Sequence, residues 1–163
     1  MKSWGYTLGM KWTRHSSVIA ILVAVFALGA PPLIFGAETT LTTPDGEPVL
    51  WSDWVAENAP VAVLLWASWV PGADETVADL DRITSAARAH DLDLVVVAVQ
   101  EPLEEATEIL DSANVNWLHD RFGHLLKDHR VVTIPRLLVF EKDGRVVEQL
   151  EVSRNSLRSW AGE

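Results

Sequence analysis

WASWVPGADE, residues 66–75, joins a long apolar run to a polar segment, and this junction decides the fold. The run that leads into it, PVAVLLWASW at 60–69, is continuously apolar and bounded by prolines, which is typical of a strand buried on both faces. Pro71 suits the first position of a helix, and the acidic pair at 74–75 would lie near the positive end of the helix dipole. The stretch therefore predicts a buried strand that runs directly into a helix.

The residues after this junction predict further helices and strands. A helix is predicted at 71–90, a second buried strand at 92–100 and a second helix at 101–114. Residues 117–131 are read as a less regular helical piece. The run RLLVFEKDGRVVEQLEV, residues 136–152, predicts a hairpin around a Lys-Asp-Gly turn.

The two ends of the soluble part predict short elements. Residues 39–59 predict two extended pieces around a Pro-Asp-Gly turn, then a helical turn capped by Ser52 or Asp53. Residues 153–163 predict one or two closing helical turns. The strand–helix–strand unit should be parallel and right-handed, so the fold class is α/β, with a mixed central sheet flanked by helices.

The first 37 residues differ sharply in charge and polarity from the rest. They carry three basic side chains and no acid, and VIAILVAVFALGA at 18–30 is apolar throughout. This pattern predicts a cytoplasmic N-terminus at 1–15, a transmembrane anchor at 16–37 and a periplasmic domain at 38–163. A cleaved signal peptide is the alternative, although Phe35 or Ile34 would then stand at the −3 position, where small residues are favoured.

Composition excludes several classes of function. The 163-residue chain has no cysteine, which removes disulfides, thiolate catalysis and cysteine-based metal sites. Residues 38–163 carry ten basic and 23 acidic side chains, a formal charge of −13. Such a domain is repelled by phosphate backbones, so no nucleic-acid partner is expected.

The order of elements, WASW with Pro71, and Thr-Ile-Pro before the hairpin together resemble the thioredoxin fold. More narrowly, residues 39–152 resemble the membrane-anchored TlpA/ResA/CcmG group of thioredoxin-like proteins. The resemblance implies that Pro135 is cis. It also implies that the degenerate cysteine motif occupies Val70, Pro71, Gly72 and Ala73, with Val70 and Ala73 in place of the cysteines. Thiol–disulfide exchange, the chemistry of that group, is therefore not available to this chain.

A docking surface is the functional hypothesis for this region. The fold implied by the resemblance brings the motif next to Pro135, where five residues would form an apolar patch for a protein partner. These residues are Trp69, Val70, Ala73, Ile134 and Pro135. The alternative is an inert site covered by the N-terminal strands.

Two other groups of polar residues are candidates for functional sites. The histidines His119, His124 and His129 recur at intervals of five, which spreads them around a helix and favours a solvated face over a metal site. Four glutamates of the second predicted helix suggest an exposed polar face rather than acid–base catalysis. They are Glu101, Glu104, Glu105 and Glu108. No metal site and no cofactor are therefore predicted.

The expected function is non-enzymatic. The sequence predicts a redox-inactive, membrane-anchored periplasmic protein that acts as a binding, assembly or structural subunit of an inner-membrane complex. The resemblance suggests cytochrome or respiratory-complex maturation as the setting. The alternatives are a thiol–disulfide oxidoreductase, which the absence of cysteine contradicts, and a metal or haem chaperone using the histidines.

Overall fold

The computed structural model describes residues 38–162, which form a seven-stranded mixed sheet with flanking helices. The strands are β1 Thr40–Thr42, β2 Pro48–Leu50, β3 Val61–Trp66, β4 Asp93–Val99, β5 Trp117–Asp120, β6 Arg136–Phe140 and β7 Val146–Glu151. The helices are α1 Trp51–Asn58, α2 Ala73–Ala78, α3 Leu80–Arg88, α4 Leu103–Ser112, α5 His124–Asp128 and α6 Arg154–Ala161. The predicted anchor at 16–37 lies outside the described residues. Within 38–162, no helix has the length and apolar character needed to cross a membrane.

The strand order is β2-β1-β5-β4-β3-β6-β7. Strands β3, β4 and β5 are parallel, while β6 runs antiparallel to β3 and β7 antiparallel to β6. Every residue of β3 is buried, as is every residue of β4 after the first. The apolar stretches 61–66 and 94–99 therefore form the central strands, because only a strand covered on both faces needs no polar alternation.

Residues 117–131 correct one prediction, since they form β5 and α5 instead of a helical piece. Strand β5 pairs with β4 in parallel, with Trp117 beside Val96, and all four of its residues are buried. Because His119 and Asp120 are polar, the hydrophobic pattern of the sequence does not indicate this strand. Tertiary pairing with β4 overrides the local signal.

The helix predicted at 71–90 is divided in two. Helix α2 ends before Asp79, whose backbone is not helical (φ −95°, ψ 3°), and α3 begins directly after it. The Asp79 carboxylate pairs with Arg82 in the first turn of α3. A polar residue that bonds forward to the next turn thus separates two short helices.

Helix α1 begins earlier than predicted. Its N-cap position is Leu50, so Ser52 and Asp53 lie inside the first turn and do not cap the helix. Trp51 is buried at the start of α1, stacked on Trp54 and edge-on to Phe140 of β6. This aromatic packing places the start of the helix.

Candidate functional site

The degenerate motif forms a tight turn between β3 and α2. The Ala73 N–H donates to the Val70 carbonyl at 3.2 Å, and Gly72 has φ +82° and ψ 12°. With Pro71 and Gly72 as its central residues, this geometry fits a type II turn, which requires a left-handed residue at the second central position. Helix α2 therefore begins at Ala73 with Gly72 as its N-cap, and Pro71 lies before the helix rather than at its first position.

The two positions where the resembled family carries cysteine are closed to solvent. Val70 and Ala73 are both buried, so neither contributes to the apolar surface that the sequence predicts. The Ala73 carbonyl accepts a hydrogen bond from the indole Nε1 of Trp66 at 3.2 Å, which ties the start of α2 to the end of β3. Trp69, in contrast, is 57% exposed.

The peptide bond between Ile134 and Pro135 is cis, the conformation that the resemblance implies. Pro135 lines one groove together with Pro71 and Gly72, so the structure brings the degenerate motif and this proline together. Ile134 and Pro135 are both half-buried. Within residues 38–162, no hydrogen bond is made by the backbone N–H or C=O of Ile134.

The topology gathers several connections at one end of the sheet. Strands β3, β4 and β5 are parallel and β6 is antiparallel to them, so the residues after the first three strands and before β6 meet there. We call this the motif end of the sheet, formed by residues 67–72, 100–102, 121–123 and 132–135.

Large apolar side chains are exposed at the motif end. Among residues 38–162, five large hydrophobic side chains are exposed, and three of them lie here: Trp69 at 57%, Phe122 at 61% and Val132 at 91%. Their connections lie over β3, β5 and β6, which spans about 14 Å at the usual spacing between strands. The sequence analysis did not identify Phe122 or Val132. Phe122 is a single apolar residue in a polar connection, and no local pattern distinguishes the exposed Val132 from the buried Val131 beside it.

A buried carboxylate lies beneath this surface. Glu101 is only 5% exposed, and its Oε2 accepts a hydrogen bond from the Ser68 N–H at 3.0 Å, while Oε1 has no partner among the described residues. The sequence places Glu101 on an exposed helical face, and this is wrong. Helix α4 begins at Leu103 with Pro102 as its N-cap, so Glu101 belongs to the connection after β4.

Two buried polar residues at the end of β5 support the same connections. His119 Nε2 lies 2.7 Å from the Glu101 carbonyl. The Asp120 carboxylate accepts hydrogen bonds from the backbone N–H groups of His124 at 2.9 Å and Leu125 at 2.8 Å. Asp120 thus satisfies two donors at the start of α5, the role of a capping carboxylate.

The histidines of residues 119–129 lie in three different elements or connections. His119 lies in β5, His124 begins α5 and His129 follows its last residue. Burial lowers the pKa of His129 below its ordinary 6.5, against a smaller opposing effect of the nearby Asp128 carboxylate. In the described part of the chain, no group of three or more histidine, aspartate or glutamate side chains is arranged to hold a metal ion.

Comparison with solved structures identifies the fold. A putative thiol:disulfide interchange protein DsbE from Chlorobium tepidum is similar, with a TM-score of 0.59 and 18% identity over 75% of this chain and 86% of that one. A secreted Mycobacterium tuberculosis disulfide oxidoreductase homologous to E. coli DsbE has a TM-score of 0.56 and 17% identity, over 77% and 95% of the two chains. The fold is thioredoxin-like. No family model and no curated protein sequence matches the chain.

The thioredoxin-like domain holds its motif residues in place without the groups that perform redox chemistry. Valine and alanine carry no nucleophile and no titratable proton, and the chain has no cysteine elsewhere. What this end of the domain offers is an exposed tryptophan, two further apolar side chains and an unpaired backbone segment at Ile134.

Proposed function

We propose that this chain is a redox-inactive, TlpA/ResA/CcmG-like protein that binds a protein partner through the motif end of its sheet. One observation carries the proposal. Three connections distant in sequence each expose a large apolar side chain at the same end of the sheet, through Trp69, Phe122 and Val132. Burial of such side chains drives protein association, and aromatic residues are enriched at interface centres.

The backbone before Pro135 supports a specific mode of binding. The N–H and C=O of Ile134 have no partner within residues 38–162, so an extended segment can pair with them as an added strand. The Arg136 side chain donates a hydrogen bond to the Thr133 side chain at 2.5 Å, within the same segment. Trp69 then supplies apolar contact area beside the paired backbone. This mode of binding requires no cysteine.

The cellular setting is part of the same proposal. The apolar run and basic N-terminus support a single-pass inner-membrane protein with its N-terminus in the cytoplasm, an anchor at 16–37 and residues 38–163 in the periplasm. The partner would then be an inner-membrane complex, and this chain a binding, assembly or structural subunit of it. The resembled family suggests cytochrome or respiratory-complex maturation by analogy alone.

The experiment is extraction of the full-length chain from membranes in mild detergent, followed by native size analysis and identification of co-purifying proteins. The test variant combines Trp69→Ala with Ile134→Asp. The matched control is Val147→Asp, because Val147 is exposed near the start of β7, at the opposite end of the sheet.

We expect the wild type and the Val147→Asp variant to migrate with a partner and the double variant to migrate alone. Equal thermal midpoints of the double variant and the wild type establish that the loss is not caused by unfolding. A wild-type chain that migrates as a lone small protein, or a double variant that keeps the partner, contradicts the proposal.

A further inference from the structure

Three of the ten basic residues in 38–163 line a single groove. Arg82 of α3 and Arg154 and Arg158 of α6 meet there, with Asn155 as the fourth lining residue. We call this the arginine groove. A cluster of arginines is unexpected in a domain whose formal charge is −13, because acidic side chains outnumber basic ones there by 23 to ten.

Two of the three positive charges in this groove have no ion-pair partner within the described residues. Arg82 forms an ion pair with Asp79. Arg154 and Arg158 have no carboxylate within salt-bridge distance in residues 38–162, and both are exposed. Like charges held together repel one another, so an anionic group bound between them would be stabilised. The planar guanidinium group suits carboxylate oxygens in particular.

Helix α6 is capped at its start and packed against the domain at its end. Ser153 caps the helix through its hydroxyl, which accepts the Ser156 N–H at 3.2 Å. At the other end, Trp160 stacks on His90 with ring centroids 4.5 Å apart and donates its Nε1–H to Glu148 at 2.8 Å. Binding would therefore require little ordering of the helix that carries two of the three arginines.

The arginine groove adjoins the groove of the degenerate motif, because one residue lines both. Arg154 lines both, and the motif groove also contains Pro71, Gly72 and Pro135 together with two acidic residues, Glu75 and Asp79. The carboxylates of the bound segment must therefore lie beyond this groove, at the arginines, with only its apolar part in the motif groove. One extended segment can therefore cross from the apolar residues of the motif end to the three arginines. An anionic membrane surface fits less well, because the domain as a whole is strongly acidic and is repelled by it.

We infer that the arginine groove binds acidic side chains of the partner, in a segment whose apolar part lies against Trp69 and Pro135. This inference rests on the proposed function and adds the chemistry of the partner, an extended peptide that carries both carboxylates and apolar residues.

The test is fluorescence anisotropy of the full-length chain in detergent with two labelled probe peptides. One peptide joins four glutamates to an apolar Val-Pro-Val-Leu segment, and the other has glutamine in place of glutamate. The test variant is Arg154→Glu with Arg158→Glu. The matched control is Lys127→Glu with Arg130→Glu, which changes the net charge equally at exposed positions outside the groove.

The glutamate peptide should bind the wild type and the control variant at least about fivefold more tightly than it binds the test variant, since each exposed charge pair adds a modest increment. The glutamine peptide should bind all three chains with similar weak affinity. High salt should weaken binding of the glutamate peptide only.

Several outcomes overturn the inference. One is failure of the glutamate peptide to bind the wild type, and another is equal affinity of this peptide for the test and control variants. A third is that the wild type binds phosphatidylglycerol vesicles but not the glutamate peptide, and that the test variant no longer binds the vesicles. If both peptides bind equally and Trp69→Ala abolishes both, the arginine inference fails while the proposed docking function stands. If the test variant loses the glutamate peptide but Trp69→Ala has no effect, the docking function and the apolar half of the inference fail, while binding of carboxylates by the arginine groove stands.

Discussion

The Oε2 atom of Glu101 accepts a hydrogen bond from the backbone N–H of Ser68 at 3.0 Å, joining residues 33 positions apart. Ser68 follows β3 and Glu101 follows β4, so this bond ties together two connections that form the motif end of the sheet. Trp69 is the next residue along the chain. A buried carboxylate thus supports the loop that presents the exposed tryptophan.

Replacement of Glu101 measures the contribution of this bond. Glu101→Ala leaves the Ser68 N–H without its acceptor, and we expect a loss of about 2 kcal/mol in the free energy of unfolding. Glu101→Gln keeps an oxygen for that N–H, so its loss should be clearly smaller. Urea denaturation followed by circular dichroism measures both variants. Glu108→Ala, an exposed position of α4, is the control and should stay within about 0.5 kcal/mol of the wild type.

The turn at the degenerate motif depends on glycine. Gly72 has φ +82°, which a residue with a side chain adopts at a cost of roughly 1–2 kcal/mol. Gly72→Ala should lower the free energy of unfolding by about that amount. Gly72→Asn should lose less, because asparagine tolerates the left-handed conformation better. Equal stability of the wild type and Gly72→Ala would show that the turn does not need a left-handed residue.

The two tryptophans of WASW should behave oppositely. Trp66 is 1% exposed and bonded to the Ala73 carbonyl, so Trp66→Ala should cost about 3–5 kcal/mol of stability. Trp69→Ala should cost less than about 1 kcal/mol, because most of that ring is already in water. Thermal and urea unfolding of the two variants gives the comparison. A similar loss for both would contradict the exposed position of Trp69.

His129 makes stability depend on pH. Its pKa is lowered in the folded state, mainly by burial, so the unfolded chain binds a proton more readily than the folded one. The contribution of the neutral His129 ring to the free energy of unfolding is fully present above pH 6.5. It is lost as the pH falls below that value toward the folded-state pKa of His129. His129→Gln should flatten the decline in unfolding free energy between pH 7.5 and 5.

The neighbouring carboxylate provides a second check on His129. Asp128 opposes the effect of burial, so Asp128→Asn should lower the pKa of His129 further. Titration of the imidazole proton signals by NMR measures the shift. An increase in the pKa of His129 in this variant would mean that Asp128 does not act on the ring as the structure indicates.

Introducing two cysteines tests whether the motif turn has the geometry of a disulfide. The turn hydrogen bond from Ala73 to Val70 places their Cα atoms within about 7 Å, close to the span of a disulfide. Val70→Cys combined with Ala73→Cys should therefore form an intramolecular disulfide on oxidation. Thiol titration and mass spectrometry detect it. The wild type should show no insulin reduction. Two free thiols remaining after oxidation would indicate that the Pro71-Gly72 turn does not have that geometry.

The predictions that succeeded depended on local patterns. Continuous apolar runs mark β3 and β4 because a strand covered on both faces has no polar alternation, and the Lys-Asp-Gly turn marks the hairpin of β6 and β7. The helical prediction for β5 failed because a four-residue strand containing His119 and Asp120 lacks any such pattern. Its conformation depends on pairing with β4, which lies earlier in the chain.

The candidate site was only partly predictable for the same reason. The sequence points to the motif residues and to Pro135, but it treats Val70 and Ala73 as surface and Glu101 as an exposed helical residue. Burial of these side chains depends on the turn at Gly72 and on the Ser68 N–H that parallel pairing brings beside Glu101. The burial of Val70, Ala73 and Glu101 therefore cannot be predicted from the residues next to them in the sequence.

By itself, the sequence determined the central strands of this protein and the absence of thiol chemistry, because both depend on residue type and short-range order. Only the tertiary structure decided that Trp69, Phe122 and Val132 are exposed at one end of the sheet and that Arg82, Arg154 and Arg158 share one groove. These residues are far apart in sequence. Strand order and the packing of α3 against α6 bring them together, and those arrangements are set by the burial of the whole core.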